Sequence, residues 1–118
     1  MYKTCMAAAS MSPDQHLPLT PAAFSILLAL ADGEKHGYAI MQEAREHAAM
    51  GPGTLYGSLD RLLAGGLIVE TRVDDDERRR FYKLTALGRR VLTAETARLE
   101  ASVARARNKG VGRQEVRA

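Results

Sequence analysis

Seven consecutive charged residues, Asp74-Asp75-Asp76-Glu77-Arg78-Arg79-Arg80, constrain this chain more than any other feature. Charged side chains in such a run are not buried unpaired, so the segment has to project into solvent. On either side lie stretches suited to strands. Leu67 to Val73 is rich in β-branched residues, and Phe81 to Leu84 can pair with it as the second arm of a hairpin with a charged tip. Gly65-Gly66 marks the switch, because residues able to take positive φ stop whatever helix precedes them.

Upstream of that pair the periodicity is helical. Thr20 supplies a capping hydroxyl and Pro21 suits the first helical position. Phe24, Leu27, Leu28 and Ala31 then recur at helical spacing up to a stop at Asp32-Gly33. With Ile26 and Leu30 added, this helix is apolar almost all round, which predicts a position at the centre of the domain or shared with a partner. A second helix is predicted from His36 to about His47, with Ile40, Met41 and Ala44 inward. Pro52 opens a third that runs through Ala64. Leu55, Leu59, Leu62 and Leu63 form one stripe on it. Thr54, Gly57 and Arg61 therefore face away, with Tyr56, Ser58 and Asp60 on the flanks. After the hairpin, Thr85 caps a fourth helix carrying a stripe of Leu92, Leu99, Val103 and Ala106, with Leu87 and Val91 nearer the domain.

The order helix, helix, helix, two-stranded hairpin, helix predicts a mainly α fold with a small β-hairpin: a winged helix-turn-helix with a C-terminal dimerisation helix. Residues 1–16 are expected to be a flexible lead-in, 17–84 the DNA-binding domain, 85–107 the dimerisation helix and 108–118 a disordered tail. A fourth helix of about 20 residues outreaches so small a domain, which favours pairing with a second copy over folding back. Size agrees, since 118 residues with 46% hydrophobic make one core plus an appended element.

Several function classes are excluded by what these residues lack. No Ser, Cys or His stands in a motif with a base and no glycine loop follows a strand to cradle phosphates. No metal-ligand spacing links His16, His36, His47 and Cys5, so catalytic residues, metal and cofactor are all expected to be absent. The three histidines read as surface or helix-edge residues, and a lone Cys5 cannot form an internal disulfide. No apolar run is long enough to span a membrane and no signal peptide is present, which predicts a cytoplasmic, nucleoid-associated protein. Net charge is only +3, and its location weakens any simple electrostatic argument for nucleic acid. From Arg98 onward six basic residues face two acidic ones, whereas residues 17–97 hold ten basic and eleven acidic ones. Arrangement has to carry the function instead. The third helix offers small and hydrogen-bonding side chains outward, Gly57 permits close backbone approach to a major groove, and the N-terminus at Gly53-Thr54 suits a phosphate.

Three segments add a family likeness: His36-Gly37-Tyr38, Gly53-Thr54-Leu55-Tyr56, and Arg80-Phe81-Tyr82-Lys83-Leu84-Thr85 with Gly88. In this order, over Leu17 to about Arg107, the chain resembles the PadR-type transcriptional regulators, in the short branch with a single C-terminal helix. The resemblance implies a homodimeric repressor of double-stranded operator DNA. It places DNA contacts at Thr54, Tyr56 and Arg61 of the recognition helix, at Tyr38 near the phosphates, and at Arg79 and Arg80 on the wing. It also implies dimerisation through the first and last helices, hence Phe24 together with Leu92, Leu99, Val103 and Ala106. Family members respond to phenolic acids, drugs or other small molecules, so a small-molecule effector is implied too. Without tryptophan and with two phenylalanines, a flat aromatic clamp is not expected.

Other roles stand beside these. Tyr38 and Tyr56 are equally suited to bracing the second helix against the third, and Arg61 to pairing with Asp60 or Glu43. Arg78 to Arg80 could simply neutralise the four acids before them, which themselves repel phosphate. The rival function is a winged-helix protein-interaction module without specific DNA binding, separable by its lack of salt-dependent DNA affinity.

Overall fold

The computed structural model describes residues 12–47, 51–73 and 80–112. Its helices are α1 (Pro21–Ala29), α2 (Gly37–His47), α3 (Pro52–Ala64) and α4 (Ala86–Asn108). Its strands are β1 (Lys35–His36), β2 (Ile68–Val73) and β3 (Arg80–Leu84). Mainly helical with a small antiparallel sheet, it is a winged helix-turn-helix.

α1 begins as its sequence dictates. Thr20 Oγ1 accepts a hydrogen bond from the Ala23 N–H at 3.1 Å, and Pro21 occupies the first turn. Ala22, Ala23, Ile26, Leu27 and Ala29 are buried, with Leu28 exposed, so α1 is the central pillar against which α2, α3 and α4 pack. It stops at Ala29, short of the expected Asp32-Gly33, where the bonding tightens to i→i−3 (Ala31 N–H to the Leu28 carbonyl, Gly33 N–H to that of Leu30), and two cations take carbonyls at this end. Lys35 Nζ donates to the Ala29 carbonyl and to Asp32, and Arg89 Nη2 of α4 donates to the Ala31 carbonyl at 2.9 Å. Gly33 then turns the chain with φ +141°.

The hairpin is part of a three-stranded sheet in the order β1-β3-β2. β1 sets Lys35 opposite Tyr82 and His36 opposite Phe81, while β2 sets Ile68 opposite Leu84 and Val73 opposite Arg80. Between Glu70 and Arg72 the register shifts, a bulge that raises local twist. The tip, residues 74–79, lies outside the described residues, and so does Arg79.

Of the expected lead-in, residues 12–16 are described. Ser12 Oγ accepts from the Asp14 N–H at 3.2 Å, starting a 3-10 turn over Pro13–His16 that packs on α4. Between this turn and α1 the chain is bonded to Glu95 of α4, 2% exposed, whose carboxylate accepts from the Leu19 N–H at 3.3 Å. Arg98 donates to both Glu95 oxygens, at 2.7 and 2.8 Å. These bonds hold the Glu95 carboxyl below the usual glutamate range, with the Arg98 hydrogen bonds the main cause. His16 is likewise no surface residue: it is half-buried, and its Nε2 is sealed from solvent.

α4 is two helices in function. Its first turns belong to the core through Val91 and Leu92, at 0% and 7% exposure, so Leu92 leaves the free stripe to which its spacing assigned it. Farther on, Leu99 and Val103 are exposed and Ala106 is half-buried. The helix runs through Asn108 and closes in a turn over Lys109 to Gly112, while residues 113–118 lie outside the described ones.

Thr85 and Gly88 fasten α4 to the end of α3. Thr85 Oγ1 accepts from the Gly88 N–H at 2.9 Å and donates to the Gly66 carbonyl at 2.7 Å, and the Thr85 N–H donates to the Leu67 carbonyl at 3.0 Å. A Cβ on Gly88 would lie 1.9 Å from the Leu67 carbonyl oxygen. Gly88→Ala is therefore expected to destabilise the fold by about 3 kcal/mol or more, since backbone must move to admit the methyl, as read by urea denaturation. Glu95→Ala leaves the Leu19 N–H without its acceptor, at a cost of about 1–2 kcal/mol. Because the folded-state carboxyl is depressed, Glu95's stabilisation is complete above the ordinary glutamate value of 4.5 and is lost as pH falls through the lower folded value. Thermal melts of wild type and Glu95→Ala should therefore converge in acid and diverge toward neutrality.

Candidate nucleic-acid interface

α3 is anchored by Leu55, Leu59 and Leu62, all at or below 5% exposure, with Leu63 half-buried beside them. Ser58 is buried as well, at 2%, not on the flank where helical spacing set it. It is small enough for α3 to settle closely, and its Oγ accepts from Arg61 Nη2 at 3.4 Å. The opposite face carries exposed Thr54, Tyr56 and Arg61, with Gly57 half-exposed between them. At the helix start, Gly51 is the cap and supplies no side-chain acceptor, which leaves the first backbone N–H groups directed outward.

Beside α3 lies a cleft of about 450 Å³ lined by His36, Gly37, Tyr38, Tyr56, Leu59, Arg80 and Tyr82. It joins the start of α2, the outer face of α3 and the first residue of β3. Tyr38 is 66% exposed and Tyr56 51%, so neither is the half-buried brace between α2 and α3. The buried tyrosine here is Tyr82 of β3, 7% exposed, whose hydroxyl is pushed to a higher pKa mainly by burial. The His36 ring stacks with Tyr38 (6.5 Å, 12°) and meets Phe81 edge-on at 5.6 Å, aligning the exposed tyrosine with the sheet.

On the wing, Arg80 Nη1 lies 3.3 Å from Glu70, so this cation is balanced in the free protein. Arg72, which sequence reasoning passed over, lies over the Phe81 ring at 3.8 Å and pairs with Glu34 at 3.3 Å. Thr71 donates to the same carboxylate and holds it below the usual glutamate range. Its signal was its place near the end of the strand expected over Leu67 to Val73, beside the charged tip. Arg61 pairs with neither Asp60 nor Glu43, since Glu43 lies 3.6 Å from Lys35. Thr54, Tyr56, Gly57 and Arg61 thus share one face of α3, and Tyr38 and Arg80 come to the same cleft. Phe24 lies half-buried on α1 near exposed Leu28, away from the Leu99 and Val103 surface of its own chain. Among the described residues no group of His, Cys, Asp or Glu is placed to hold a metal ion, and no helix is long and apolar enough to cross a membrane.

A leucine-anchored third helix with a polar outer face, flanked by a hairpin wing, defines a winged-helix DNA-binding transcriptional regulator. Residues 26–94 match the model of the transcriptional regulator PadR-like family, and the chain belongs to that family. It is similar to transcriptional regulator Rv3488 of Mycobacterium tuberculosis, with 47% identity over 77 residues that cover 64% of this chain and 72% of the relative. In fold it is similar to a PadR family regulator from hypervirulent Clostridium difficile (TM-score 0.67, 24% identity, covering 79% of this chain and 100% of that one). It is also similar to BpsR of Bordetella bronchiseptica, whose DNA binding is regulated by 6-hydroxynicotinic acid (TM-score 0.62, 25% identity, covering 97% of this chain and 83% of that one).

Gly57 separates the demands of fold and interface. An added Cβ would meet only Arg61 Nη1, at 3.6 Å, so the fold has no need of glycine there. Gly57→Ala is expected to stabilise the protein by about 0.5–1 kcal/mol in urea denaturation while weakening operator binding, a pair of opposite signs that a purely structural glycine would not give.

Proposed function

We propose that this chain is a homodimeric repressor whose two α3 helices read successive major grooves of an operator, and which a small molecule releases. The observation that carries the reading is the division of α3 into a leucine face and an outward face of Thr54, Tyr56, Gly57 and Arg61. In this reading Thr54, Tyr56 and Arg61 meet base edges and nearby phosphates, with Gly57 admitting the backbone. Tyr38 and Arg80 hold the sugar-phosphate chain from either side of the cleft, Arg79 does so nearer the wing tip, and residues 17–84 form the DNA-binding domain. Arg80 exchanges its pairing with Glu70 for a phosphate, which moderates its net contribution.

Dimer formation falls to α4, residues 85–107 in round terms. A helix of 23 residues is about 34 Å long, and its second half leaves Leu99 and Val103 without cover from its own domain. Phe24 and Leu28 on α1 offer an apolar patch for the partner's helix. Effector release is favoured by the likeness to BpsR, and a cytoplasmic, nucleoid-associated site of action follows from the role.

Fluorescence anisotropy against the duplex upstream of the protein's own coding region, at several salt concentrations and beside a scrambled duplex, tests this. The expected result is preferential binding that falls steeply with salt, with Arg80→Ala flattening the slope by about one phosphate's worth. Leu99→Glu combined with Val103→Glu should yield a monomer in sedimentation and lose tight operator binding. Weak, equal binding to both duplexes at every salt concentration would instead favour an interaction module.

A further inference from the structure

Behind α3, on the side away from the DNA-facing cleft, is a second cavity of about 200 Å³. The 3-10 turn, the start of α1, the buried flank of α3 and the α3–β2 turn line it, and it opens to solvent. Its polar lining is His16, Thr20, Ser58 and Arg61, and its apolar lining includes Leu19, Leu62 and Leu67. We infer that this cavity is a binding site for a small aliphatic monocarboxylate, whose occupancy holds Arg61 against Ser58.

Two features point to that ligand. Each polar side chain of the lining carries a hydrogen-bond donor, and none is a carboxylate, so the site complements an anion. Ser58 is 2% exposed and so a built part of the cavity, and it meets Arg61 at 3.4 Å, a distance at the long end for a hydrogen bond. The nearest buried acid, Glu95, is committed to Leu19 and Arg98 and does not line the cavity. The apolar lining narrows the class, since Leu19, Leu62 and Leu67 favour a short alkyl tail over a bare inorganic oxyanion.

The consequence for DNA rests on the operator reading above. Arg61 lies between two surfaces: its guanidinium reaches back toward Ser58 over Gly57, yet the residue stands exposed on the outer face of α3. A carboxylate in the cavity and a phosphate or base on the other side compete for the same guanidinium.

Butyrate is the probe, titrated into the full chain beside acetate, sulfate and chloride at matched ionic strength, with NMR following the His16 Cε1–H and the Arg61 Nε–H. Saturable shifts that are stronger for butyrate than for acetate, and weakened about tenfold in Arg61→Gln, are expected. Shifts that chloride or sulfate reproduces, or that persist unchanged in Arg61→Gln, would overturn the site. Operator anisotropy at fixed ionic strength should then show butyrate weakening the wild type but not Ser58→Ala. Saturable NMR binding without any change in operator affinity would overturn the coupling through Arg61. A chain that binds no DNA at any salt concentration sinks the operator reading instead, while the NMR titration still decides the cavity.

Discussion

The packing of Gly88 against the Leu67 carbonyl is the constraint on which the arrangement of the other parts depends. At that point the end of α3, the first residue before β2 and the first turn of α4 meet within one van der Waals layer, leaving no space for a side chain. Thr85 closes the junction by serving both helices, accepting from the Gly88 N–H while bonding the carbonyls of the α3–β2 turn. Because backbone atoms make the contact, the angle between α3 and α4 depends little on the flexible ends of side chains. A second fastening runs in parallel, where Glu95 grips Leu19 and thereby sets the start of α1 against α4. Between the two, the long helix is seated before its outer half leaves the domain.

Charge is managed locally around the wing and the cleft, not by a broad basic field. Arg80 faces Glu70, Arg72 faces Glu34 and Lys35 faces Asp32 and Glu43, so each of these cations is matched in the free protein. Exposed ion pairs of this kind contribute little to stability. What they do is orient: Arg72 lies flat on Phe81 because Glu34 holds its far end, and Phe81 in turn meets His36, which aligns Tyr38. Tyr38, one of the two exposed tyrosines of the cleft, is thus placed through a relay of ring contacts that starts on the wing.

Much of this was legible in the amino-acid order, and the unread parts share a physical reason. Thr20-Pro21 and Pro52 announce helix starts because a cap and a missing N–H are local chemistry. Gly65-Gly66 announces a stop for the same kind of reason, and Thr85 behaves as its hydroxyl predicts. β1 was illegible because two residues have no periodicity, and only their pairing with β3, far along the chain, makes them a strand. Glu95 reads as one more surface acid until Leu19, 76 residues away, supplies its buried partner. Ser58 looks like a flank residue by angle alone, yet burial follows from what packs opposite. Leu92 and Leu99 occupy one stripe by spacing, and they part company because the domain covers only the first half of α4. At the cleft, the pattern on α3 named Thr54, Gly57 and Arg61, whereas His36 and Tyr82 entered only when the sheet brought them there.

The smallest element has a mechanical consequence. With Lys35 and His36 hydrogen-bonded to β3, the wing is not a flap hinged only at its own base. Any torque on the hairpin passes through β1 into Gly37, the first residue of α2, and arrives at Tyr38 within two residues. Wing and helix-turn-helix are therefore joined through the sheet as well as through the core, so that a displacement of one arm is felt at the other.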